Sequence, residues 1–231
     1  AVMPTLTVKP KQSEKPKTLL LPEKSKTTDK IRDYLFSRGI DAAITDECIK
    51  KGIIFESLPY HNIVFVGFGE NKKPKYAAFR ATNSHRILGD CSGSDKHYSF
   101  RLADSDSNEV HLFECAIDLL SYATLSKLSG KDWRQENLVS LAGVYLPKEK
   151  IEDSKTPAAV IKYLADRPDI QKIHIHFDND NAGRKATQAL KVILPKRYEV
   201  FDEPPKKGKD YNDYLCIQLG IWKSKERNFE R

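Results

Sequence analysis

The stretch IHIHFDNDNAGRKATQALK, residues 173–191, constrains the chain most, because a strand pattern runs straight into two aspartates and then into a helix. Ile173, Ile175 and Phe177 alternate with His174, His176 and Asp178, the period of a strand with two distinct faces. Asn181 is the expected N-cap, and Gly183 lets the first helical turn approach the sheet without a Cβ. Arg184 to Lys191 are good helix formers. Asp178 and Asp180 then fall in the strand-to-helix crevice, where open α/β sheets bind ligands. Two carboxylates about 4 Å apart repel by roughly 4 kcal/mol at an effective dielectric near 20, and a divalent cation relieves that repulsion. An all-oxygen donor set suits Mg²⁺. The plain alternative is that a DxD ahead of a helix only caps it.

From Glu109 onward strands and helices alternate strictly. EVHLFE reads as a strand, CAIDLLSYATLSKL as a helix, NLVSLAG as a strand, and residues 156–166 as a helix with Pro157 in its first turn. The 171–178 strand, the Gly183 helix, a strand at 198–201 and a helix from Asp210 to Leu219 complete a parallel sheet with helices on both faces. Glu114 closes the first of these strands as Asp178 closes the third. Parallel strands end at one edge, so Glu114, Asp178 and Asp180 are expected to converge there.

Ahead of this unit the grammar differs. A helix from Thr28 to Gly39 and a second from Thr45 to Gly52 precede strands at 53–55, 62–68 and 75–81, a Gly/Ser loop at 89–96, and a further strand in HYSFRLA. The expected organisation is a basic, disordered arm at 1–27, a small α+β lobe at 28–108, the α/β unit at 109–222 and a tail at 223–231. Residues 1–30 carry seven lysines against Glu14, Glu23 and Asp29, so the arm supplies much of the net +7 and the folded part is only mildly basic. That balance permits a polyanionic partner without requiring one. The four cysteines form no CxxC pair, which argues against a zinc ribbon and a disulfide framework. No apolar run is long enough to span a membrane and no signal peptide opens the chain, so the expected location is the cytoplasm.

A glutamate closing a first strand, an aspartate soon after it (FECAIDLLS) and FDNDNAG closing a third strand resemble the toprim domain of DnaG-type bacterial primases, topoisomerases and some nucleases. That pattern has glycine after the glutamate, and Cys115 stands there instead. The likeness narrows to the catalytic core of DnaG-type primases through YLFSRGI at 34–40, KKGI at 50–53, the strand pair FVGFG and YAAFRA around Arg80, SLAG at 140–143, and GKDYNDYL at 208–215. In the last of these Asn212 stands where a second acid is usual. The resemblance covers roughly residues 30 to 220, without a zinc ribbon, the trimmed form found on plasmids, phages and conjugative elements.

The resemblance implies metal-dependent nucleotidyl transfer on single-stranded DNA with nucleoside triphosphates. Asp178, Asp180 and Asp210 would hold Mg²⁺ or Mn²⁺, and Glu114 would complete the metal shell or take the proton of the attacking hydroxyl. Arg80, Lys96 and Lys209 would meet nucleotide or template phosphates. A replicative helicase or a relaxase is the implied protein partner. Plainer readings stand beside these: Asp118 at a helix N-terminus suits the dipole as well as a metal shell, Asn212 suits a cap, and the lysines suit solvent. The alternatives to a primase are a toprim metal-dependent nuclease and a non-catalytic DNA-binding module. A topoisomerase is not expected, because strand passage needs a tyrosine on a separate domain and a gate, and neither Tyr60 nor Tyr76 has a context suggesting that role. HxHxD at 174–178 also raises a metallo-hydrolase site, but such sites place a histidine after the aspartate, where Asn179 stands. His174 and His176 are therefore expected to pack on one sheet face with hydrogen-bond partners.

Overall fold

The structure is a computed structural model and describes residues 18–85, 87–143 and 145–221. Two helices open the first lobe. α1 (Asp29–Ser37) buries Ile31 and Leu35, and α2 (Ala42–Lys50) buries Ile44 and Cys48. The second starts earlier than its Thr45 signal because Asp41 caps it, its carboxylate accepting from the Ala43 and Ile44 amides. β1 (Ile54–Glu56), β2 (Ile63–Phe68), β3 (Pro74–Arg80) and β4 (Leu88–Asp90) follow as an antiparallel sheet in that order. The buried Glu56 carboxylate accepts from the Lys30 and Ile31 amides, so the sheet satisfies the first turn of α1.

The second sheet has the order β5-β7-β6-β8-β9, built from β5 (Arg101–Leu102), β6 (Glu109–Phe113), β7 (Leu138–Ser140), β8 (Lys172–Ile175) and β9 (Glu199–Asp202). The four later strands are parallel, whereas β5 runs antiparallel to β7, so the sheet is mixed. The strand expected in HYSFRLA thus shrinks to two residues and pairs with the α/β sheet rather than with the first lobe. α3 (Ala116–Leu128) packs on one face with α1, α2 and α6 (Tyr211–Gln218). α4 (Ala158–Asp166) and α5 (Asn181–Ile193) cover the other. Alternation sorts the β6 side chains: Val110 and Leu112 face α4 and α5, while Phe113 joins the core that α3 shares with the first lobe.

Two expectations are corrected here. Residues 18–27, assigned to a disordered arm, run along the first lobe: Leu20 N–H donates to Ser92, Ser25 N–H to Glu56, and Leu58 N–H to Glu23. Residues 1–17 and the tail at 223–231 lie outside the described residues. The 171–178 strand ends its ladder at Ile175. His176 still donates its amide to Leu112 O, but Phe177 and Asp178 have already turned out of the sheet.

Candidate metal-binding and active site

β6 leads through α3 to β7 on its one side, while β8 and β9 lie on its other side, so the strand order reverses between β6 and β8. The crevice beyond the C-terminal ends of those two strands is where such a sheet opens to a ligand. Glu114 and Asp178 sit there, and Glu114 Oε1 accepts the Asp178 amide at 3.2 Å. Glu114 is 7 % exposed. Burial, then the neighbouring Asp178 carboxylate, pushes its pKa up to about 7.

Asp180 rather than Asn181 caps α5, accepting the Gly183 amide at 2.9 Å, and that hydrogen bond leads in holding its pKa below the usual range. Any of the residues in DNDN is able to cap. The choice falls on Asp180 because the loop is tied down on both sides, by Asp178 to Glu114 and by the Asn179 amide donating to Lys209 O at 2.6 Å. A Cβ on Gly183 would stand 2.1 Å from Asp178 O, so this position admits only glycine while the turn keeps its shape.

The last helix repeats the device. Asp210, not Asn212, caps α6 by accepting the Asp213 amide at 2.7 Å, and burial raises its pKa. Asn212 is fully buried and instead donates to Arg38 O and Ser121 Oγ, joining the first lobe to α3. Asp118 is buried too. Its carboxylate accepts from the Asn212 amide and the Cys115 thiol, and burial together with Asp210 drives its pKa upward. Cys115 itself has φ −139° and ψ 167°, extended backbone that needs no glycine, so the departure from the toprim pattern costs nothing here.

Lys209 bridges the two aspartates, its Nζ 3.1 Å from both Asp178 Oδ2 and Asp180 Oδ2, and this pairing raises its pKa. Opposed to that ammonium, burial drives the Asp178 pKa upward. A monovalent ammonium thus occupies the position of a counter-ion to the acid pair, and the all-oxygen donors around it fit Mg²⁺ or Mn²⁺. Among the described residues, the groups of three or more ligating side chains with donor atoms within 4.8 Å of one another are both histidine-containing. The acid rim is therefore arranged around Lys209 rather than closed into a cage. Replacing Lys209 with alanine should tighten Mg²⁺ binding several-fold, since an exposed ion pair worth up to about 1 kcal/mol no longer competes. Calorimetry checks this, and weaker binding by the variant would contradict it.

Arg80 and Lys96 approach from the first lobe. Arg80 lines a cleft with Cys115, Ala142 and Gly143, and among the described residues it makes no ion pair. Lys96 is engaged: Nζ donates to Ala142 O at 2.9 Å and lies 3.1 Å from Asp90 Oδ2. It clamps the SLAG loop, where Ala142 holds a left-handed φ of 62° and the Gly143 amide donates to Glu114 O. Two contributors went unassigned in the sequence. Arg38, within YLFSRGI, favours ionised Asp210 electrostatically, and its place in that motif was the available signal. His111 stacks on His174 and hydrogen-bonds His176, and the alternation of EVHLFE was the signal for its face. Burial pushes the His111 pKa down to about 3.

Residues 111–215 match the family described as Toprim-like, and residues 33–107 match a family described as a protein of unknown function, DUF3991. The uncharacterised protein pXO2-78 of Bacillus anthracis is 26% identical over 197 residues, covering 75% of this chain and 49% of that protein. The chain spans about half the length of that curated relative. Among solved structures, the primase fragment of the bacteriophage T7 primase-helicase protein superposes with a TM-score of 0.52 at 19% identity, over 80% of this chain and 68% of that one. The E. coli primase catalytic core gives 0.54 at 12% identity, over 84% and 70%. The DnaG primase catalytic domain bound to single-stranded DNA gives 0.53 at 12% identity, over 84% and 71%. At these identities the likeness is one of fold.

Proposed function

We propose that this chain, a toprim-domain protein with the fold of a DnaG-type primase catalytic core, is a metal-dependent nucleotidyltransferase that makes or extends short primers on single-stranded DNA. The observation that carries the reading is the meeting of Glu114 and Asp178 at one sheet edge, with Asp178 and Asp180 sharing one cation, Lys209; Arg80 of the first lobe lines a cleft with Cys115, next in sequence to Glu114. Asp178, Asp180 and Asp210 would hold Mg²⁺ or Mn²⁺, with Glu114 beside them. When bound, the ion supplies neutralisation of phosphate charge.

Glu114 Oε1 is committed to the Asp178 amide, which leaves Oε2 to take the proton from the attacking 3′ hydroxyl. In the metal-free protein burial and the Asp178 carboxylate raise the pKa of this group, and a cation bound beside it would favour the ionised form that accepts a proton. Arg80 would pair a phosphate of the nucleotide or the template. Lys209 would exchange its carboxylates for the ion and become free for the triphosphate. The partners proposed are single-stranded DNA and nucleoside triphosphates, with a replicative helicase or a relaxase as the protein partner. The fold likeness to a primase fragment of a primase-helicase favours the helicase. The pXO2-78 relative agrees with a role on a mobile element. Among the described residues no helix is long and apolar enough to cross a membrane.

Labelled nucleoside triphosphates, a single-stranded template and Mg²⁺ or Mn²⁺ test the reading. Elongated primers support it, whereas shortened DNA without any nucleotide requirement points to a toprim nuclease.

The raised Glu114 pKa also sets a pH dependence in the metal-free protein. The folded state holds this proton more tightly than the unfolded one, so stability is lost as pH rises from about 4.5 through about 7. The loss attributable to Glu114 is roughly 2–4 kcal/mol. Urea melts in EDTA should show Glu114→Gln gaining on the wild type between pH 5 and pH 8. A constant difference between the two proteins would contradict it.

A further inference from the structure

Behind the acid rim, the α3-facing side of the second sheet carries three histidines. His111 lies on β6, His174 on β8, and His176 just past the end of β8. Their rings are near-parallel: His111 lies 4.5 Å from His174 at 11°, and meets His176 edge to edge, with ring centres 5.1 Å apart and 12° between the planes. Phe113 and Phe201 extend the stack at 4.8 Å. Stacking alone would be met by phenylalanine, so the nitrogens need a separate account.

The hydrogen-bond network assigns them. The Tyr211 hydroxyl donates to Glu203 O at 2.9 Å, and Tyr211 Oη lies 2.8 Å from His176 Nδ1. The tyrosine has one proton and has spent it, so His176 Nδ1 carries a proton and donates it. That leaves the His176 Nε2 lone pair pointing away from α6. His111 Nδ1 stands 2.8 Å from Nε2, and Glu203 Oε2 stands 3.6 Å from it. All three donor atoms lie within 4.8 Å of one another. Nitrogen and oxygen ligands at 2.0–2.1 Å on a tetrahedral ion are about 3.3 Å apart, between the two distances observed.

We propose that His111, His176 and Glu203 form a second metal site, for Zn²⁺ or a similar transition-metal ion, distinct from the oxygen-only rim for Mg²⁺. Two imidazoles and one carboxylate select such an ion over Mg²⁺. Part of a surrounding shell is in place: Tyr211 orients His176, and His174 Nε2 meets Glu109 Oε2 at 3.1 Å, while His174 Nδ1 lies 3.2 Å from the other Glu203 oxygen, Oε1, without a hydrogen bond to it. His111 and His176 are buried, but the Glu203 side chain is 44% exposed, which gives the ion its way in. On binding, the proton of His111 moves from Nδ1 to Nε2, and the ion replaces it between the two rings. The site ties β6 and the end of β8 to the connection from β9 to α6. It thereby fixes the backbone two residues ahead of Asp178.

Co²⁺ alone, titrated into the EDTA-stripped full chain, tests this. One equivalent should give the intense visible bands of four-coordinate Co²⁺, excess Mg²⁺ should not remove them, and Asp178→Asn should retain them. Glu203→Gln, at a half-exposed side chain that leaves the fold undisturbed, should weaken Co²⁺ binding by about 10- to 100-fold. Absent bands in the wild type overturn the proposal. So do bands that Mg²⁺ displaces, or bands lost in Asp178→Asn and kept in Glu203→Gln, which would put the ion at the acid rim. Primer synthesis is not part of the readout, so failure here leaves the reading of the rim untouched.

Discussion

Asp178→Ala should lower primer synthesis by on the order of 10³-fold while leaving the chain folded. Asp178 is the point on which the rim turns. Its amide donates to Glu114, its carboxylate shares Lys209 with Asp180, and its carbonyl packs against Gly183. Removing one group that stabilises developing charge commonly costs about 10²–10³ in rate, and a ligand to the ion sits at the upper end. Stability should change little or rise, because burial already drives the Asp178 pKa upward and the charge is costly in the metal-free protein. Activity and circular dichroism measured together separate the two effects. Equal activity in the variant and the wild type would remove the enzyme from this account.

Gly183→Ala carries the largest structural effect. A methyl group at that position would meet Asp178 O at 2.1 Å and Asp178 C at 2.9 Å, backbone atoms that move only with the whole turn. Overpacking a rigid site costs typically 1–3 kcal/mol and more where backbone must shift, so a loss of about 3 kcal/mol is expected in urea unfolding. Because the displaced carbonyl belongs to Asp178, Mg²⁺ affinity should fall with it. An exposed control on the same helix, Lys185→Ala, should change neither. A Gly183→Ala protein as stable as the wild type would show that the turn is looser than the structure places it.

What was legible in the sequence follows from what local pattern is able to encode. The alternation of residues 173–177 and the helix formers after Gly183 fixed a strand, a turn and a helix, and parallel topology then carried Glu114 to the same edge as Asp178. Which residue of DNDN caps α5 was not legible. Asp180 and Asn181 have nearly equal capping tendency, and the Asn179 to Lys209 hydrogen bond, made with a distant loop, decides between them. Asn212 misled for the same reason: its neighbour Asp210 caps, and its own amide is buried against Arg38. β5 is two residues long and has no period to read. Residues 18–27 lie on the first lobe through backbone hydrogen bonds, which composition does not reveal. His111 drew no notice because one histidine in an apolar strand has no meaning until β8 is laid beside it in register with His174.

The proposed site gathers the carboxylates of Glu114, Asp178 and Asp180 around a divalent ion whose place Lys209 holds. Anomalous diffraction from crystals soaked in Mn²⁺ measures this directly. A peak is expected among the oxygens of Asp178, Asp180 and Glu114, with Lys209 Nζ swung out of its two salt bridges. An empty rim, with the ammonium still between the aspartates, would contradict it.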